Sequence, residues 1–402
     1  MNHLKPTSPP SFREFVILVS LLMSLTALSI DAMLPALAQI GQDLQVQNPN
    51  DRQLVVATIF LGLAVGQLFF GPLSDSTGRK PAIYMGLILY MGGALLSMFA
   101  LTFPMMLTGR LLQGLGISAP RAVTLALVRD QFSGRAMAQV MSFVMTVFIL
   151  VPMLAPSMGQ LILNVAGWRA IFGSFILLAL VALLWLWLRQ PETLAPENRA
   201  PFTLGRIGWA TKKIVQNRLA LGYTITAGFI SGAFIGYLNS AQQIFQEQYA
   251  LGDLFAIYFG IIASAIGLAS LLNSRLVMRL GMRFLVRGSL LSIVGLAGVA
   301  LLAAFWFGAQ LPLALFMAYL MASFFCVGIL FGNLNSLAME PLGDMAGIGA
   351  AVVGSLSTLI SVVLGTIIGQ SYNDTAVPLI VGLGVLAGLS LAVVWWAEQE
   401  MV

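Results

Sequence analysis

The sequence predicts an all-α membrane protein of twelve transmembrane helices, built as two six-helix halves. Three observations predict it. The chain of 402 residues is 59% hydrophobic and only 9% charged, with a mean hydropathy of +0.93. Soluble domains carry about 25% charged residues, and no soluble core hides this much apolar surface, so the solvent is lipid. The apolar residues fall into runs long enough to cross about 30 Å of hydrocarbon as helices, with one long polar segment, 190–220, midway. Lys and Arg concentrate in alternate loops, as expected of a polytopic protein. The alternating short strands of a membrane barrel are absent, which leaves helices as the spanning element.

The spans read 15–38, 54–73, 82–100, 105–127, 137–160 and 170–189, then 221–240, 255–275, 286–305, 312–336, 346–369 and 377–397. The first has a basic lead-in, Lys5 and Arg13, and an Ala36-Leu37-Ala38 sequence of signal-peptidase type. Its apolar run is longer than a signal-peptide core and carries Asp31, so it reads as a retained span. Asp31 is the only acid placed well within a span. A lone carboxylate costs a few kcal/mol in lipid, so it is expected to face the bundle interior and take and release a proton. Pro35 should loosen the helix one turn further on.

Between the second and third spans lies Gly71-Pro72-Leu73-Ser74-Asp75-Ser76-Thr77-Gly78-Arg79-Lys80-Pro81. It reads as a short polar turn, with Gly71 and Gly78 giving backbone freedom and the prolines punctuating helix ends. Asp75, Arg79 and Lys80 place opposite charges at the membrane surface, where they can pair. The fourth span holds Arg110-Leu111-Leu112-Gln113-Gly114-Leu115-Gly116. Arg110 and Gln113 share a helix face, and a guanidinium that keeps its charge needs a partner or water when buried. Arg121 lies about 16 Å further along and is expected to line the cytoplasmic side of a cavity, unless it snorkels to the headgroups. The fifth span carries Pro152, Pro156 and Gly159, expected to bend it and pack it tightly.

The segment 190–220 reads as a linker between the halves 1–189 and 221–402. With a cytoplasmic N-terminus, sixteen of the twenty Lys and Arg fall on the cytoplasmic side, Arg52 and Arg169 on the other, and Arg110 and Arg121 within a span. Both termini are therefore expected in the cytoplasm. The net charge of +5 follows topology and gives no reason to expect a nucleic-acid partner. The second half repeats the opening turn faintly at Asn273–Arg283, with Gly281 and Arg283 but no acid. One cysteine, Cys326, and one histidine, His3, exclude an internal disulfide and a His-based metal site or triad. No metal, cofactor or enzymatic centre is expected.

These motifs resemble those of the major facilitator superfamily. Gly71–Lys80 fills every defining position of its G-x-L-[AS]-D-x-x-G-R-[KR] signature, and Arg110–Gly116 matches R-x-x-Q-G-x-G. Val151–Gln160 resembles the antiporter motif g-x-x-x-G-P-x-x-G-G, keeping only Pro156 and Gly159. Ser29-Ile30-Asp31 with Leu34–Leu37, Leu127–Asp130 and Met141–Met145 resemble the bicyclomycin-resistance/CflA branch of drug:proton antiporters. The resemblance implies halves made of inverted three-helix repeats. It also implies proton-driven export of drugs from the cytoplasm across the bacterial inner membrane. Asp31 and Arg110 would couple the proton, and Gly71, Asp75, Gly78, Arg79 and Lys80 would latch the cytoplasmic side. Candidates for an apolar drug cavity are Gln113, Arg121, Met141 and Met145, with Tyr237, Asn239, Gln242, Asn333 and Asn335 from the second half. Core packing for the methionines and interhelical hydrogen bonds for the amides are the alternatives. The expected partners are protons, a small-molecule substrate and lipid, with the protein a monomer. Export of a small metabolite, an amino acid or a sugar, is the competing reading.

Overall fold

The computed structural model describes residues 10–399, all helix and connecting turns with no strand among them. The helices are α1 (Phe12–Asp31), α2 (Leu37–Asp43), α3 (Leu54–Thr77), α4 (Arg79–Met98), α5 (Phe103–Gln131), α6 (Gly134–Arg189), α7 (Leu204–Gln216), α8 (Arg218–Gln242), α9 (Phe255–Leu280), α10 (Met282–Trp306), α11 (Leu313–Met339), α12 (Ala346–Gln370) and α13 (Val377–Glu398). Eleven continuous helical stretches are long and apolar enough to span a membrane. The 56 residues of α6 would run about 84 Å if straight, far beyond one bilayer. The stretch breaks at Gly167, at φ 75° and ψ 172°, a conformation that glycine adopts without penalty. The two pieces are the fifth and sixth predicted spans, which restores the count of twelve.

The first span departs from its predicted form. Helix α1 ends at Asp31, a short 3₁₀ turn covers Leu34–Ala36, and α2 resumes at Leu37. Asp31 is thus the last residue of α1, at a break inside the continuous apolar span Phe12–Asp43. The cause is Pro35, whose ring clashes with the carbonyl four residues back, that of Asp31. The expected turn at 71–81 is also shorter than it reads. Helix α3 continues through Pro72 to Thr77, and only Gly78 leaves helical geometry, at φ 110°. Hydroxyls stabilise this end: Ser74 donates to the Gly71 carbonyl (2.8 Å), and Ser76 and Thr77 donate to that of Leu73 (2.9 and 2.8 Å). Pro72 therefore sits inside a helix and Pro81 in the first turn of the next. The linker is not featureless either, since it contains α7. Its Ile207, Ala210 and Ile214 form a helical stripe that the polar composition of the segment obscured.

By chain contacts the protein divides into two units. One comprises the chain up to Met33 with Thr58–Ile207, the other Leu34–Ala57 with Gly208 onward. In the first, α4 packs along α5, and α6 packs on α1 and α4. Glu14 in the first turn of α1 accepts from Arg189 Nε (2.7 Å) and Trp185 Nε1 (3.1 Å), tying α1 to the end of α6. Phe15, Val19, Leu127, Val128, Val140 and Val144 form a buried cluster, with Met141 packed against it. In the second, α8 packs on α12 and α13, and α11 packs on α9 and α10. Asn50 donates to the carbonyls of Gln370 (3.1 Å) and Tyr372 (2.9 Å) and accepts from Gln243 (2.8 Å). Arg52 pairs with Glu247 (3.0 Å). These bonds fasten Leu34–Ala57 within that unit. Phe305 and Trp306, 88% and 85% exposed, suit a lipid-facing, interfacial end of α10.

Candidate functional site

In the first unit the polar residues of three helices converge. Arg110 of α5 is fully buried. Its guanidinium donates to Gln113 Oε1 (2.9 Å) and to the Ser29 carbonyl of α1 (3.0 Å), and lies 5.9 Å from the Phe172 ring centre. Ser29 Oγ is 2.6 Å from Tyr90 Oη of α4. Two residues on from Ser29, the Asp31 side chain is 6% exposed. No hydrogen bond or ion pair to it occurs among the described residues. The arginine therefore grips the backbone of the helix that carries the acid, not the acid itself. The local sequence makes this possible. The helix ends at Asp31, and Gly159 lets α6 pass close by: a Cβ there would fall 1.9 Å from the Ala32 carbonyl oxygen.

Sequence reasoning selected Asp31, Arg110 and Gln113, and Arg110 and Gln113 do meet. It missed Ser29 as Arg110's acceptor and Tyr90 entirely. Ser29 stands beside Asp31 in the sequence, but Tyr90 is a lone tyrosine in an apolar run, with no local signal. Arg121 is exposed on α5 after the buried Pro120, and no acid pairs with it among the described residues. Met141, half-buried, packs against the hydrophobic cluster of α1, α5 and α6, whereas Met145 is 42% exposed. Pro152, Pro156 and Gly159 all lie within helical geometry, and among the described residues the non-helical break of α6 is at Gly167. Gly159 is the close-packing point expected of it.

Arg79, the first residue of α4, is buried. It donates to Asp75 Oδ1 (2.6 Å) and Ser74 Oγ (2.9 Å) of α3 and to Asp130 Oδ2 (2.8 Å) of α5. Glu192 accepts from the backbone N–H groups of Arg79 (2.9 Å) and Lys80 (3.0 Å), so its carboxylate caps the N-terminus of α4. The Lys80 ammonium lies 5.8 Å from the Tyr84 ring centre. Gly71 and Gly78 flank this cluster, and Asp130 and Glu192 are partners the motif alone does not supply. The faint copy in the second half gains its missing acids from other helices. Arg283 pairs with Glu340 (2.9 Å), and the buried Glu398 accepts from Tyr223 and Arg287. Gly281, at φ 79°, occupies the place of Gly78.

The second-half cavity candidates separate. Tyr237 is 2% exposed among aromatic rings, 4.7 Å from Phe324 and 5.6 Å from Phe259. Asn239 donates to the Gly365 carbonyl (3.1 Å), joining α8 to α12. Gln242 donates to Gln246 (2.9 Å) and Glu247 (3.2 Å), in the polar cluster around Arg52. Asn333 donates to Asn273 Oδ1 (2.8 Å), joining α11 to α9. Asn335 is exposed. Asn239 and Asn333 thus serve as interhelical ties.

The sequence model of the Major Facilitator Superfamily matches residues 19–366. A bicyclomycin resistance protein homolog of Haemophilus influenzae is 30% identical over 387 residues, 94% of this chain and 94% of that protein. The multidrug resistance protein MdtL of Salmonella paratyphi A is 28% identical over 389 residues, 93% of each. Among solved structures, the xylose transporter XylE from E. coli, in a partially occluded inward-open conformation, aligns with a TM-score of 0.72 at 14% identity, covering 96% of this chain and 97% of that one. The human organic anion transporter MFSD10 aligns with a TM-score of 0.70 at 18% identity, covering 96% of this chain and 100% of that one. At these identities the structural likeness speaks for the fold alone.

Proposed function

Because the chain belongs to the major facilitator superfamily, a family of membrane transporters, we propose that it exports drugs or other small amphipathic compounds across the bacterial inner membrane in exchange for protons. The observation that carries this reading is Asp31, buried at a helix end, without a hydrogen-bond or ion-pair partner among the described residues, and two residues from the carbonyl that Arg110 holds. A carboxylate held among apolar side chains at such a place is one whose charge an incoming proton or substrate can change. Loss of the proton leaves an anion that Arg110 can turn to, releasing Ser29 and Gln113. The two charge states of Asp31 then favour different packings of α1 on α5, which is what alternating access requires. The names of the relatives, bicyclomycin resistance and multidrug resistance, support the direction and the substrate class. On this reading both termini and the Arg79 cluster face the cytoplasm, and the protein works as a monomer.

The test is efflux of a fluorescent cationic drug from energised cells, with and without a protonophore. Collapse of the proton gradient should abolish efflux, and Asp31→Asn should reduce it to background while the protein still inserts. Efflux that survives either treatment rules out proton coupling at Asp31. A second reading is favoured by one observation: Arg121 is an exposed cation within α5 with no acid paired to it among the described residues. It suits an anionic or zwitterionic metabolite. Arg121→Gln would then abolish transport of the anionic substrate and spare that of a cation.

A further inference from the structure

Helix α7 is more sharply amphipathic than any of the spanning helices, and the transport reading gives it no role. At about 100° per residue its thirteen residues divide into three faces. Ala210 and Ile214 are buried against the protein. Leu204 and Val215, 64% and 50% exposed, share a second edge. Arg206 and Lys213 lie on the opposite edge, and Lys212 stands between the exposed apolar edge and the outer face. The apolar arc therefore extends beyond what the protein covers. No acidic residue occurs between Glu197 and Glu247, whereas Arg199, Arg206, Lys212, Lys213 and Arg218 all do. One residue, Asn217, separates α7 from α8, whose hydropathy and length mark it as a membrane span. The end of α7 is thereby held at the membrane surface.

We propose that α7 is a membrane-surface helix that seats its Leu204–Val215 edge in the interface and binds anionic phospholipid headgroups. Lys212, nearest that edge, makes the closest headgroup contact. Arg206 and Lys213 add longer-range attraction within a Debye length. Lys213 contributes less directly, because its ammonium sits 4.6 Å from the Trp209 ring centre. The charge pattern selects the partner: an uncovered apolar edge flanked by Lys212, on a helix that carries three cations and no acid, matches an anionic leaflet. It does not depend on the identity of the transported compound.

The test uses the full-length protein with Cys326→Ser and one new cysteine, either Val215→Cys or Gln216→Cys, labelled with a fluorophore. It is reconstituted in phosphatidylcholine vesicles containing nitroxide-bearing lipid, with or without phosphatidylglycerol. The label at 215 should be quenched several-fold more than the label at 216, and phosphatidylglycerol should raise the difference. Lys212→Gln should lower partitioning of the helix about fivefold, more than Arg206→Gln or Lys213→Gln, and Lys212→Arg should restore it. Equal quenching at 215 and 216 overturns the proposal, as does indifference to phosphatidylglycerol. Shielding of the 215 label from an aqueous quencher without lipid quenching would mean that protein covers the edge, and it also overturns the proposal.

Discussion

Arg110 shows how one side chain can hold a helix that carries a functional acid without touching that acid. Its fork reaches the Ser29 carbonyl and the Gln113 amide together, which a lysine's single ammonium cannot reproduce. Arg110→Lys should leave at least one of these buried acceptors unpaired, at about 1–3 kcal/mol. Transport is expected to fall steeply while the protein still reaches the membrane, read by immunoblot beside an efflux assay. At Gly159 the constraint is steric. With a Cβ position 1.9 Å from a backbone oxygen, Gly159→Val forces α6 away from the end of α1. Overpacking of this kind costs about 1–3 kcal/mol or more, so a lowered melting temperature in detergent and lost transport are expected. An unchanged melting curve would show that the contact is looser than drawn. Asp31, Arg110 and Gln113 were legible because charged and amide groups are rare in apolar runs. Tyr90 and the acceptor role of Ser29 were not, because a tyrosine or a serine in such a run marks no particular neighbour.

The turn between α3 and α4 shows how helix ends are joined. One residue, Gly78, breaks the helix, and three separate pieces of chain then converge on Arg79 and the first turn of α4. Asp75 and Asp130 bind the guanidinium, Ser74 supports it, and Glu192 caps the backbone. Glu192→Gln, which removes the charge and one of the two acceptors of the cap, should cost about 1 kcal/mol, seen as a modest loss of thermal stability. Asp130→Asn should be more severe, because it removes one of the two charges facing a buried guanidinium. Transport by Asp130→Asn, compared with wild type across an ionic-strength series, checks this, and equal activity would mean that Asp75 suffices. The ten-residue signature identified Asp75 and Arg79. It did not reveal Asp130 and Glu192, which lie 51 and 113 residues from Arg79. Helix ends were misjudged for a related reason. Hydropathy marks where apolar residues stop, but α3 and α5 continue several residues further, through polar turns whose groups bond locally. In α7 the opposite occurred: low mean hydropathy concealed a regular stripe.

For the chain as a whole, the distribution of Lys and Arg gives a topological prediction. A reporter that fluoresces or acts only in the cytoplasm, fused after residue 402, should be active. Activity only of a reporter requiring the opposite side would reverse the assignment of every loop. The compact units do not coincide with the two sets of six spans, since Leu34–Ala57 groups with the second. That exchange rests on Asn50, Arg52 and their partners on the turn 243–248 after α8, on α12 and on the turn after α12, residues that read as an ordinary polar loop.

The amino-acid sequence by itself determined the solvent, the number of crossings, the family motifs and the few polar side chains that lipid tolerates only for a reason. These are properties of composition and local spacing, because burial in hydrocarbon penalises each residue where it stands. Only the tertiary structure decided which groups satisfy one another: Arg110 with a backbone carbonyl, Asp130 and Glu192 with the α3–α4 turn, Glu340 and Glu398 in place of an acid missing from the second copy. Such partners are set by helix packing between distant segments, and a one-dimensional pattern does not carry that information.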